Sequence, residues 1–326
     1  MPSHSKLTDA MDRALSFLAN AQSTDGGFRT EVSSAPRLVG ARRIESPYLH
    51  AIVADALAAM EPRAPAATPM LRRADAYLAR TQESDGWWRF FGPAFPERLP
   101  DLDTTSVSYA ARLVANPGDE RIATQANAWL DSLEPLRAEC GLFKTWRDPE
   151  INAHDFELPD SMVNANVLLL QGLLKRPDPR LIAFFHHIAT RSTYHILNRW
   201  GVARFAVPYL IARAFARGAV TELEGTMNPI IAWLRHTQHA DGGWGSDLET
   251  ALAVMTLLSA GAEGPRDEES ADWLLARQQP DGGWATGTFF RDMLPEFYGA
   301  RVFTTVVCAQ AIATVLGRFV AEPMQT

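Results

Sequence analysis

The chain has 326 residues, 47% of them hydrophobic, only two cysteines and a formal net charge of −7. With a pI near 5.6, it lacks the clustered basic character that a nucleic-acid partner requires. Cys140 and Cys308 cannot staple a chain of this size, so a reducing, cytoplasmic setting is expected.

No apolar h-region follows the first residues, Met1-Pro-Ser-His-Ser-Lys6, and no window approaches about 18 uninterrupted apolar residues. Neither a secretory leader nor a membrane span is therefore expected.

In chain order, Leu7–Ala21 reads as an amphipathic helix that ends in Gln22-Ser-Thr-Asp-Gly-Gly-Phe28. A more apolar helix, Pro47–Met60, follows. The pair recurs as Pro69–Thr81, Gln82-Glu-Ser-Asp-Gly-Trp-Trp88 and Leu102–Ala115. It recurs again as Glu120–Leu133 with Ser161–Leu174, and as Pro179–Thr190 with Ala203–Ala216. Met227–Thr237 then leads through Gln238-His-Ala-Asp-Gly-Gly-Trp244 into Leu248–Ala260. Last, Asp267–Gln278 leads through Gln278-Gln-Pro-Asp-Gly-Gly-Trp284 into Gly299–Leu316.

In each phrase Asp-Gly lets the backbone leave a helix through positive φ, and the aromatic buries a flat face on a neighbouring unit. The first two phrases lie about 60 residues apart and the last two about 40, within the range of helical-pair repeats. The middle gap of about 156 holds roughly three such periods, in which two units have lost the phrase. Cys140-Gly-Leu-Phe-Lys-Thr-Trp146 and Asn198-Arg-Trp-Gly201 read as worn copies. Helices with one wet face alternate with helices apolar nearly all round. Six of each predict an all-α fold, an (α/α)6 barrel (toroid) of six helix-pair repeats, occupying 1–326 as one domain.

The long segments between phrase and inner helix should gather at one mouth of such a barrel, where function concentrates. The sharpest chemical signal there is Asp101-Leu-Asp103-Thr104-Thr105, opening the second inner helix. Two carboxylates this close in a partly apolar site repel, so one should hold its proton near neutral pH. The same residues are good helix N-caps, and capping alone would also account for them. Upstream lie Trp87, Trp88, Phe90, Phe91 and Phe95; Tyr48, Trp200, Phe205, Tyr209, Phe289, Phe290, Tyr298 and Phe303 fall at matching places in other units. Such rings stabilise cations, or simply pack as core.

Asn164 and Asn166, in an apolar run beside the Asp103 helix, must find partners. His50 and His195 are candidates for the acid's partner or a terminating base, or else satisfied core. Arg29, Arg204 and Arg301 are candidates for binding a diphosphate. No zinc site is expected, because no histidine, His154 included, shows ligand spacing with a cysteine.

The Gln-x-x-Asp-Gly-Gly-Trp phrases resemble the repeats of the squalene–hopene cyclase and prenyltransferase superfamily. Asp101-Leu-Asp103-Thr104-Thr105 resembles the acid motif of its class II terpene cyclases. That resemblance implies a general-acid role for Asp103, tuned by Asp101 and Thr104; Asn166, from its place in the adjoining apolar run, is a candidate partner for the Asp103 carboxyl or else bonds a neighbouring helix. It implies cyclisation of a polyprenyl substrate such as farnesyl or geranylgeranyl diphosphate, or a prenylated aromatic. Trp88, Phe90, Phe91, Tyr48, Trp200, Phe205, Tyr209, Tyr298, Phe303 and Arg301 would bind it. No metal or other cofactor is expected for protonation; Mg2+ is expected only with a diphosphate substrate.

Class II cyclases normally pair this barrel with a second helical domain, and here one barrel's length is present. Enclosure would then fall to rim loops (Gly86–Pro100 and Ala285–Pro295), a second protomer of a homodimer, or a helper domain. The alternatives are a non-catalytic barrel that binds an isoprenoid or a protein, and a carbohydrate-active α/α-barrel enzyme with Asp101 or Asp103 as its acid.

Overall fold

In the computed structural model, which describes residues 3–92, 99–148, 159–264, 266–292 and 296–321, the chain forms twelve α-helices among the described residues. The odd-numbered helices are α1 (His4–Ala21), α3 (Thr68–Thr81), α5 (Glu120–Asp131), α7 (Pro179–Thr190), α9 (Glu224–Thr237) and α11 (Asp267–Arg277). The even-numbered ones are α2 (Pro47–Met60), α4 (Leu102–Ala115), α6 (Ser161–Leu173), α8 (Ala206–Ala216), α10 (Asp247–Ser259) and α12 (Arg301–Ala321).

The even helices pack in the order α2, α4, α6, α8, α10, α12 and back to α2, a closed inner ring. The odd helices lie outside it, with α3 against α2 and α4, α11 against α10 and α12, and α1 against α12. Burial follows the expected alternation. Nearly every residue of α2 and α6 is buried, whereas α5 buries only Ile122, Ala126, Trp129 and Leu130. Helix α4, bearing the paired aspartates, is in the inner ring.

The repeated phrase is a built joint. Its glutamine donates to the carbonyl of the glycine four residues on, as in Gln22 Nε2 to Gly26 O (2.9 Å) and Gln278 Nε2 to Gly282 O (2.9 Å). Gly26 and Gly282 sit at φ +89° and +91°, and a Cβ at either would strike the Arg73 or Arg13 carbonyl oxygen within 2.4 Å. Glycine is required on both counts. The tryptophan Nε1 donates to a leucine carbonyl ten residues back, Trp88 to Leu78, Trp244 to Leu234 and Trp284 to Leu274. Its backbone N–H donates to a threonine hydroxyl of the following inner helix, Thr105, Thr250 or Thr305.

The third unit keeps the joint with other residues. Arg137 replaces the glutamine on Gly141 O, Gly141 has φ +88°, and Phe143 is the anchor in place of Trp146. The fourth unit has lost it: Gly201 N–H bonds the Asn198 side chain, and the segment serves a different purpose, described below.

Four short strands were not anticipated. β1 (Thr30–Ser33) and β2 (Arg42–Ile44) come from the loop before α2; β3 (Thr288–Arg291) and β4 (Phe297–Gly299) come from the loop before α12. They form one antiparallel sheet in the order β2-β1-β4-β3. The β1–β4 pairing, with Val32 opposite Tyr298, clasps the first repeat to the last. Segments of three or four residues without long alternation leave little trace in sequence. No helix among the described residues is long and apolar enough to cross a membrane.

Candidate active site

The Asp101–Thr105 motif divides its labour. Asp101 is the N-cap of α4: its Oδ1 accepts from Thr104 N–H (2.7 Å) and its Oδ2 from Phe90 N–H (3.1 Å). Thr105 locks the Trp88 joint. Capping is thus confirmed for Asp101, but it leaves Asp103 free of that duty. Asp103 lies in the first turn of α4, where its Oδ1 accepts from Asn166 Nδ2 on α6 at 2.8 Å.

Asp160, the N-cap of α6, completes a group of three carboxyls. It accepts from Met162 and Val163 N–H of its own helix and from Arg199 and Trp200 N–H of the fourth unit's worn segment. That is the use to which this segment is put.

Burial pushes Asp101 and Asp160 up to about 6 each, against the backbone N–H groups that favour their ionised forms. Asp103 is pushed further, to about 8. Burial is the main cause, the neighbouring Asp101 and Asp160 charges add to it, and the Asn166 side chain, with a smaller effect from the Tyr48 phenol, opposes it. Asp101 and Asp160 accept from backbone N–H groups, whereas Asp103 is met by side chains alone, and Asp103 is the carboxyl pushed above neutral pH. It also keeps part of its surface accessible, whereas the other two are buried.

Deeper in the ring, Arg213 of α8 stands 3.5 Å from Asn166 Oδ1 through one terminal nitrogen and 2.9 Å from Asp55 Oδ2 of α2 through the other. Arg217 reaches Asp55 Oδ1 at 3.2 Å. Burial alone would push Asp55 up; the two guanidiniums outweigh it and hold it below the usual carboxylate range. Asp55 and Arg213 were not among the expected residues. Their signal was a charge inside a helix otherwise apolar all round, a pattern that demands a buried partner.

The expected aromatic residues divide. Phe90 is the centre of a rim cluster, with Phe91, Phe290, Tyr298 and Tyr48 at centroid distances of 4.8, 5.4, 5.3 and 6.3 Å. Phe290 stacks on Tyr298 (4.9 Å, 2°), and Phe303 backs the cluster through Phe289 (4.8 Å). Tyr48, in the first turn of α2, lies in the field of Asp103, which with burial drives its phenol well above the ordinary range. Its hydroxyl and the Thr104 hydroxyl are buried without a hydrogen-bond partner among the described residues. Trp200 is half-buried beside Asp160, and Tyr209 lies 5.8 Å beneath Arg213.

Several of the expected residues are engaged in the frame of the barrel. Trp88 is a joint anchor, packed on Tyr109 and bonded to Leu78, and Phe205 faces outward onto Trp233 of α9. Both fill the space between rings. Arg301 spends its guanidinium on Asp281, Gln279 and the Trp284 carbonyl, so it braces the last phrase. Arg29 does the same with Asp25 and Glu45. Arg204 is exposed and lies over Phe205 and Trp233. His50 stands where other units have threonine: Nδ1 accepts from Phe28 N–H (3.0 Å) and Nε2 donates to Ala74 O (3.0 Å). Burial lowers it to about 4, so it is a neutral structural residue. Asn164 likewise anchors Phe143 through both its N–H and its carbonyl.

Phe95, His154 and the central parts of both rim loops (93–98 and 293–295) lie outside the described residues. Among the described residues no group of three or more His, Cys, Asp or Glu is placed to hold a metal.

The molecule is therefore an (α/α)6 barrel with an aspartate whose carboxyl is pushed up to about 8 and an aromatic cluster beside it. No family model and no curated protein matches the chain. Solved structures do. Type II terpene cyclase MstE from Scytonema, in complex with geranylgeranyl dihydroxybenzoate, superposes with a TM-score of 0.75 at 18% identity, covering 97% of this chain and 99% of that one. The ent-copalyl diphosphate synthase from Streptomyces platensis gives 0.56 at 20% identity over 83% of this chain and 50% of its own. A possible GH105 family member from Klebsiella pneumoniae gives 0.61 at 14% identity over 98% and 95%. At these identities the likeness shows the shared barrel and leaves the reaction to be argued from the site.

Proposed function

We propose that this protein is a class II terpene cyclase, with Asp103 as the general acid. The observation that carries the proposal is the Asp103 carboxyl, raised to about 8 and so protonated at neutral pH. It sits on an inner helix whose cap, Asp101, is tied to the aromatic loop through Phe90. Protonation moves the Asp103 proton to carbon of a terminal alkene, or to the oxygen of an epoxide whose C–O bond then opens, and leaves a carboxylate that the Asn166 N–H group stabilises. The cationic chain folds against rings whose quadrupoles favour positive charge, with water kept out. Any diphosphate stays on the substrate, so magnesium enters only as its counter-ion.

The MstE complexes, one with a geranylgeranyl dihydroxybenzoate substrate and one with merosterolic acid A as product, support a prenylated aromatic as one substrate class. A carbohydrate-active reading is disfavoured by Asp101. A glycosidase needs a second carboxylate facing the first across the bond, and here both Asp101 oxygens are held by backbone N–H groups. The decisive experiment incubates the purified protein with farnesyl diphosphate, geranylgeranyl diphosphate and geranylgeranyl dihydroxybenzoate. Phosphatase treatment and mass spectrometry then seek cyclic products of unchanged mass. Conversion that vanishes in Asp103→Asn supports the proposal, and no conversion of any of the three overturns it.

A further inference from the structure

An amide can present either its oxygen or its NH2 group to a neighbour, and the two orientations of Asn166 would do opposite things to the acid. With Nδ2 toward Asp103, the amide donates to Oδ1, so the acidic proton resides on the other oxygen. With the amide turned over, its carbonyl oxygen would draw the Asp103 proton to itself and away from substrate. What decides between them lies on the far side of Asn166. Arg213 can only donate, and its nitrogen stands 3.5 Å from Asn166 Oδ1. That is long for a hydrogen bond, yet a turned amide would set NH2 donors against guanidinium donors next to a full positive charge. Arg213 is itself fixed, 2.9 Å from Asp55, with both side chains buried.

We propose that Arg213 is a positioning residue that, anchored by Asp55, holds the Asn166 amide so that it donates to Asp103 Oδ1 and leaves the proton on the oxygen Asn166 does not engage. The inference deepens the cyclase reading in that it names what aims the acid. Its own content, the orientation of one amide, is measurable without turnover.

Among the described residues, the charged and titratable groups around Asp103 are few. Helix α2 presents Tyr48 and Asp55, α6 presents Asp160, α8 presents Arg213 and Arg217, and α4 itself supplies Asp101. Helices α3 and α5 meet the outer side of α4, through Asp75 on Arg112 and Trp129 on Tyr109. Removing Arg213 alone would leave Asp55 with only Arg217, so the neutral double substitution Arg213→Met/Asp55→Asn is the cleaner probe.

The experiment is infrared difference spectroscopy of the ligand-free protein across a pH titration, with the Asp103 carboxyl band assigned by its loss in Asp103→Asn. In the double variant the Asp103 C=O band should move, and its deprotonation midpoint should rise, making it an about tenfold weaker acid because a donor to the carboxylate is lost. Asn166→Ala should do the same, and the triple variant should add nothing further. Where turnover is measurable, kcat should fall about tenfold to a hundredfold with KM little changed.

A folded double variant with the wild-type band and midpoint, or effects that simply add to those of Asn166→Ala, would overturn the proposal. Should the double variant not fold, Arg213→Lys keeps a charge on Asp55 while losing the fork; a smaller shift in the same direction is expected, and no shift overturns it. Band shifts in a protein that converts no prenyl substrate would sustain this inference and reject the cyclase reading. Conversion without band shifts would do the reverse.

Discussion

The backbone N–H of Phe90 donates to Asp101 Oδ2 at 3.1 Å, so the aromatic loop of the second repeat hangs from the carboxyl beside the acid. Asp101 thereby does two things at once. It fixes the ring at the centre of the rim cluster, and its charge raises the proton affinity of Asp103. Loop and acid are positioned by one side chain.

Asp101→Asn separates these roles. Asparagine retains an oxygen for Thr104 N–H but turns an NH2 group toward Phe90 N–H, releasing the loop. It also removes a negative neighbour, so the Asp103 proton is held less tightly. Because only protonated Asp103 can act, activity falls as pH rises through its pKa. The alkaline limb of the pH–kcat profile, near 8 in the wild type, should move to lower pH in Asp101→Asn. The maximum rate should drop about tenfold or more, as befits a mispositioned site. A limb that stays in place would show that Asp101 does not tune the acid.

Asp103→Asn should abolish cyclisation while leaving the fold intact, because the amide keeps the shape and cannot deliver a strong acid's proton. Its effect on stability has a definite sign. The folded-state pKa of about 8 lies above the ordinary carboxylate value of 3.8. The unfolded state therefore loses its proton first, and the wild type loses stability progressively between about pH 4 and pH 8. Asparagine carries no such penalty. The melting temperature of the variant, relative to wild type, should rise from pH 5 to pH 8; a constant difference would mean that Asp103 titrates normally.

How much of this was legible in the chain depended on repetition and on distance. The phrase around Gln22, Gln82, Gln238 and Gln278 recurs at fixed internal spacing, so the helical pairs and the inner position of α4 could be read directly. Asp103 stood out because its motif is local. Asp55 and Arg213 lie 158 positions apart and meet only because the ring closes, which no local pattern reports. His50, Asn164 and Thr105 show the opposite difficulty. Three residue types of different chemical promise fill one structural position, the acceptor for the anchor N–H of the phrase. Arg301 misled for a similar reason, since the same guanidinium geometry that suits a phosphate suits Asp281.

His50 offers a test of that structural equivalence. His50→Ala should leave Phe28 N–H without a partner at a buried joint and strip Ala74 O of its side-chain donor, costing about 1–3 kcal/mol for the group left unsatisfied. Measured per folded molecule, kcat should be unchanged. His50→Thr, which supplies the hydroxyl found in other units, should recover part of the loss. Denaturant titration read alongside turnover would decide: a large fall in kcat at unchanged stability would return His50 to the chemistry.

The last prediction concerns the mouth. A carbocation persists only where water is excluded, and Phe90 joins the second repeat's loop to Tyr48 of α2 and to Phe290 and Tyr298 of the clasp between first and last repeats. Phe90→Ala removes the ring at which these three parts meet. The acid, its Asn166 partner and the Asp101 cap are untouched, since the contact to Asp101 is through the backbone. Initiation should therefore continue, with substrate consumption falling less than about tenfold, while the product mixture shifts toward early-quenched monocyclic and hydroxylated species. Tyr298→Phe should leave the product ratio alone, because its hydroxyl points to Asp292 and Glu296 and only its ring faces the cluster. Product ratios by mass spectrometry report both variants. An unchanged mixture from Phe90→Ala would mean that water is kept out by something other than this cluster.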